Sequence, residues 1–132
     1  MLTALSFILP LGTEELVFDA ELPSGEVLAP KMVYDTKPAC NDVKCLILEL
    51  SGKYGVDTET ALRIAFAESG FVKDAVNYNT NGTNDVGVYQ INSVHNVPDE
   101  CRFNAECNIE WAMKKMQSVG TSLWNSSKHN WE

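Results

Sequence analysis

Two carboxylates carry the possible chemistry of this chain, Glu68 and Asp85. Glu68 stands in "AFAESGF", where Ala61, Ile64, Ala65 and Glu68 recur at the spacing of one helix face. The first three are apolar, so the fourth is carried inward with them. There it loses hydration, and it lies in the last turn, near the negative end of the helix dipole. Both effects favour the neutral acid, the form that a general acid needs at working pH. Asp85 follows in a polar segment with Asn84 and Asn92, surroundings that keep a carboxylate ionised. Two carboxyl groups whose environments drive their pKa values apart suit glycoside cleavage: one protonates the leaving oxygen, the other stabilises or attacks the oxocarbenium-like sugar. Each also has a plainer use, since acids at helix ends are commonly solvated and Asp beside Asn-Gly commonly serves a turn.

The elements that must position this pair can be read around it. Val43, Leu46, Ile47 and Leu50 form a helical stripe, with Asn41 or Asp42 as cap and Gly52 and Gly55 as its end. A second helix starts after Asp57 or Thr58, carries Glu68 and stops at Gly70. The segment "NYNTNGTNDVGVYQINS" then changes character. Its Asn81-Gly82 pair predicts a small antiparallel hairpin of Val76–Tyr78 with Asn84–Tyr89, which places Asp85 opposite the second helix. A third helix is expected with Asn108 as cap, Ile109, Ala112, Met113 and Met116 as its buried stripe, and Gly120 as its stop. The tail keeps Trp124 and Trp131, which predicts that it packs back on the body. The fold class is therefore α+β, mainly helical with one small antiparallel hairpin.

A chain of 132 residues is enough for one domain with a hydrophobic core. Residues 1–38 hold four of the five prolines and no sustained period, and read as an apolar leader and extended arm; residues 39–132 read as the domain. The net charge of −8 would be repelled by nucleic acid or an anionic membrane surface, and no stretch approaches a membrane span. A monomer is expected. The first twelve residues, "MLTALSFILPLG", resemble the apolar part of a secretory signal without its positive start. Cys40, Cys45, Cys101 and Cys107 suggest disulfides ahead of buried thiols or a metal site, with three pairings open. Together these features tilt the reading to an exported protein, periplasmic or extracellular. His95 and His129 lack metal-ligand spacing and read as surface or core residues; no metal and no cofactor is expected.

The run "ESGFVKDAVNYNTNGTNDVGVYQINS", residues 68 to 93, resembles the active-site segment of the lysozyme-like superfamily, in particular the soluble-type lytic transglycosylase (SLT) domains. It is also similar to c-type lysozyme in the spacing from Glu to Asp. The later "CNIEWAMKKMQSVG" resembles a downstream helix of the same family, and the likeness spans about residues 40 to 126. This resemblance implies a lysozyme-like catalytic domain that cleaves the β-1,4 bond between N-acetylmuramic acid and N-acetylglucosamine in peptidoglycan glycan strands.

By position, the resemblance makes Glu68 the catalytic acid and Asp85 the second carboxylate. Ser69 is placed to orient the acid, and Asn79, Gln90 and Asn92 to line the saccharide cleft. Tyr89 matches a stacking surface for sugar, although an aromatic on a half-buried strand is more often core. Trp111, Trp124 and Trp131 read as packing rather than sugar platforms. The family sets an aromatic, often Tyr, after the tail Trp to hold the acid. "LWNSSKHNW" has no Tyr, so His129 or Trp131 substitutes or that contact is missing. The implied chemistry is a lytic transglycosylase with Glu68 as acid and then base. The alternatives are a true lysozyme using Asp85, an inactive peptidoglycan-binding module, and a chitin-like substrate.

Overall fold

A computed structural model describes residues 39–132; the arm expected over 1–38 lies outside the described residues. Helix α1, Val43–Tyr54, starts where the Asp42 carboxylate accepts the amide of Cys45, and ends at Gly55 in the left-handed conformation. Ile47 and Leu50 of its stripe are buried, with Val43 and Leu46 packed against the core from its edge. Helix α2, Thr58–Ser69, is capped by Asp57 and ends at Gly70. It buries Ala61, Ile64 and Ala65 completely and leaves Glu68 half-buried one turn further on.

Three short strands follow, β1 (Val76–Tyr78), β2 (Asn84–Val86) and β3 (Ile91–Asn92), antiparallel in the order β1-β2-β3. The hairpin forms as expected, and its register sets Asn77 opposite Asp85. Its second arm is shorter than the sequence reading, because Gly87 at φ +87° turns the chain inward. Val88 and Tyr89 then enter the core, and Gln90, itself at φ +50°, turns the chain back so that Asn92 lies opposite Asp85. The result is a three-stranded sheet.

After a 3-10 turn at Ser93–His95 and a short helix α3, Asp99–Arg102, helix α4 runs Ala105–Val119. Its cap is Asn104, which accepts from Cys107 N, and not Asn108. Asn108 is fully buried in the first turn of α4, where it bonds to the β2–β3 connection. The expected stripe of Ile109, Ala112, Met113 and Met116 packs into the core, and Gly120 ends the helix. A 3-10 segment, Ser122–Asn130, returns across α2 and buries Trp124 and Trp131. Disulfides join Cys40 to Cys45 and Cys101 to Cys107, which settles the pairing left open above. The architecture is mainly helical α+β with a small antiparallel sheet.

Candidate active site

Helix α2 delivers Glu68 to a cleft of about 310 Å³ that is also lined by Asn79, Asp85, Gln90 and Asn92. A second cavity, about 560 Å³, adjoins it and shares Glu68, Asn79, Asp85, Gln90 and Ser126 with the first. The two carboxylates therefore stand where the two cavities meet.

Asp85 is held by two amides. Asn79 Nδ2 donates to Asp85 Oδ2 at 2.9 Å, and Asn92 Nδ2 donates to Asp85 Oδ1 at 2.7 Å. The sheet register makes this possible: Asn92 is the cross-strand partner of Asp85, and Asn79 sits just past β1 at the hairpin turn. Thr83 Oγ1 steadies Asn79 in turn. Each Asp85 oxygen therefore accepts from a side-chain amide, which fixes the orientation of the carboxylate.

Glu68 has the opposite surroundings. Burial pushes its carboxyl above the ordinary carboxylate range; a hydrogen bond from Ser127 pulls it partly back, and the nearby charge of Asp85 raises it again. Burial thus acts on one acid, and paired amide donors bind the other.

The remaining expected residues divide. Gln90 reaches the cleft with its side chain tied to the backbone, Nε2 donating to Gly87 O at 2.9 Å and Ala75 O at 3.2 Å. Ser69 makes its hydrogen bonds to the backbone. Its hydroxyl donates to Val88 O at 2.8 Å and accepts from Val72 N, so it ties the end of α2 to the β2–β3 connection. Tyr89 is a correction to the stacking role: it is 0% exposed, and its hydroxyl donates to Ala61 O at 2.7 Å. Its ring packs edge-on against Trp124, whose indole N–H donates to Tyr89 O. No face is left for a sugar.

The tail residue that bonds to the acid is Ser127: its hydroxyl donates to Glu68 Oε1, and Trp131 Nε1 donates to Ser127 Oγ at 3.2 Å. A serine in "NSSK" carries no sequence signal for this position. Also missed was the cleft wall made by His95 and Trp111, whose rings lie 5.2 Å apart. Arg102 was missed as well. It is buried, and its guanidinium donates to the carbonyls of Ile91 and Asn84, which fixes the ends of β2 and β3. Among the described residues, no group of three or more His, Cys, Asp or Glu side chains could hold a metal ion. No described helix is long and apolar enough to cross a membrane.

Comparison with known proteins places this geometry. A 43-residue stretch is 46% identical to Protein IpgF of Shigella flexneri, covering 33% of this chain and 28% of that protein. The family described as "Lysozyme like domain" matches residues 49–126, a span that contains α2, the whole sheet, α4 and both acids. The chain belongs to the lysozyme-like domain family.

Proposed function

We propose that the protein is a peptidoglycan lytic transglycosylase that cleaves the β-1,4 bond between N-acetylmuramic acid and N-acetylglucosamine, with Glu68 as the general acid and then the base. The observation that carries this reading is the pairing of a half-buried carboxyl, raised by burial, with an amide-bound carboxylate where two adjoining cavities meet. Glu68 gives its proton to the glycosidic oxygen, and the bond from that oxygen to the anomeric carbon breaks with its electron pair on oxygen. The Glu68 carboxylate then takes the proton of the muramic acid 6-hydroxyl as that oxygen bonds to the anomeric carbon. A 1,6-anhydro end results, no water is consumed, and Glu68 is protonated again.

A second reading is hydrolysis of the same bond, and the exposure of Asp85 to the cleft favours it. Here Asp85 attacks or shields the anomeric carbon, and Glu68 activates water in the second half-step. The two disulfides suit an oxidising compartment, where peptidoglycan is found outside the cytoplasm. Mass spectrometry of the soluble products from purified peptidoglycan separates the readings. Muropeptides with 1,6-anhydro ends are expected. Reducing ends, heavier by one water, point to the lysozyme, and binding without any released fragment points to a module that holds glycan and does not cut it.

A further inference from the structure

We infer that Ser127, set in place by Trp131, is a positioning residue that decides which oxygen of Glu68 carries the transferable proton; this rests on the reading of Glu68 as the general acid. An indole N–H is a donor only. Trp131 Nε1 lies 3.2 Å from Ser127 Oγ and 3.4 Å from Trp124 O, and the Trp131 side chain is buried. Its N–H occupies a lone pair of the serine oxygen, so the serine hydroxyl must direct its single proton elsewhere. Two acceptors stand in reach, Glu68 Oε1 and Trp124 O, the latter at 3.1 Å.

The hydroxyl takes Glu68 Oε1 in both charge states of the acid. When Glu68 is ionised, the charge-assisted bond to the carboxylate is the stronger, and the hydroxyl turns to Oε1. When Glu68 is neutral, the same bond leaves Oε1 as an acceptor, and the acid proton belongs on Oε2. The proton therefore leaves from and returns to Oε2 in both half-steps, while Oε1 stays anchored to the tail. The charge that reaches Glu68 is that of Asp85, on β2; the tail contributes the neutral hydroxyl of Ser127. Because the hydrogen bond from Ser127 favours the carboxylate, its removal should let Glu68 keep its proton to higher pH.

The test combines Ser127→Ala, Ser127→Thr and Trp131→Phe, with carbon-13 NMR titration of the Glu68 carboxyl and pH profiles of turnover on soluble glycan fragments. Ser127→Ala is expected to lower kcat by about tenfold or more at unchanged KM. It should also move both the Glu68 titration and the alkaline limb of the profile upward. Ser127→Thr, which keeps a hydroxyl, should restore both. Trp131→Phe should move the titration in the same direction as Ser127→Ala, but less. A Glu68 titration that stays at the wild-type position in folded Ser127→Ala overturns the proposal, whatever the activity does. A fall in activity seen only in KM overturns it too. Full activity in Glu68→Gln overturns the general-acid reading instead, and the titration still reports whether Ser127 acts on Glu68.

Discussion

Asn108 leaves Gly87 room for a hydrogen and nothing larger. A Cβ built at Gly87 would lie 2.2 Å from Asn108 Nδ2 and 2.4 Å from Arg102 O. The same carboxamide accepts Tyr89 N–H at 2.9 Å and donates to Val86 O at 3.0 Å and Arg102 O at 2.8 Å. One buried side chain thus closes the connection from β2 to β3, the turn that sends Asn92 back beside Asp85.

The first prediction concerns that contact. Gly87→Ala meets both a steric conflict and an unfavourable positive φ, and should cost about 3 kcal/mol. Asn108→Ala strands three buried backbone groups and should cost about as much or more. Urea unfolding at neutral pH measures both. A midpoint within error of the wild type for either variant would contradict the packing described.

Glu68→Gln should fold and lose turnover by at least about a hundredfold, because an amide cannot give the proton. Stability gives a second readout. Burial raises the Glu68 carboxyl in the folded state, so the stability linked to it is present below its unfolded value and is lost as pH rises through the folded one. The neutral Gln escapes that loss. Thermal melts should therefore show the variant above the wild type at neutral pH, with the gap closing in acid. A gap that widens in acid would show that the carboxyl is shifted the other way.

Asp85→Asn separates the two chemical routes. If Glu68 acts alone, turnover should fall by less than about tenfold, and loss beyond about a thousandfold would point to covalent or water-assisted hydrolysis through Asp85. Since the Asp85 charge helps hold the Glu68 carboxyl up, the alkaline limb of the activity profile should also move to lower pH. Initial rates across a pH series give both numbers.

The disulfides should differ in what they protect. Each closes a loop of a few residues, with sequence separations of 5 and 6, so each constrains the unfolded chain by about 2 kcal/mol. Cys101–Cys107 joins α3 to α4 beside Arg102 and Asn108, which hold the sheet. Cys40–Cys45 ties only the entry to α1. Replacing the first pair by serines should reduce both stability and activity, and replacing the second should reduce stability with little change in turnover. Paired unfolding curves and activity assays on the two variants check this.

The helices were legible because each is bounded locally. Asp42, Asp57, Gly55, Gly70 and Gly120 act through bonds and backbone preferences within a few residues of themselves. Asn108 was misread for the same reason. An Asn before an apolar stripe looks like a cap, and its true partners, Tyr89 N and Val86 O, are 19 and 22 residues away in sequence. The second arm of the hairpin was drawn too long because alternation continues through Val88, while the turn at Gly87 depends on α4 standing against it.

The sequence by itself determined the helical periods, the hairpin at Asn81-Gly82 and the inward placement of Glu68, since period, caps and turn residues are local properties of the chain. Only the tertiary structure decided what touches the two acids. Asn79 and Asn92 converge on Asp85 because three strands pair, and Ser127 reaches Glu68 from 59 residues away because Trp124 and Trp131 bury the tail across α2. Tyr89 went to the core by the same logic: its hydroxyl found a carbonyl on α2, and a buried ring with a satisfied hydroxyl has no reason to face a cleft. Hydrogen-bond partners between distant segments depend on how the core packs, and no local pattern records them.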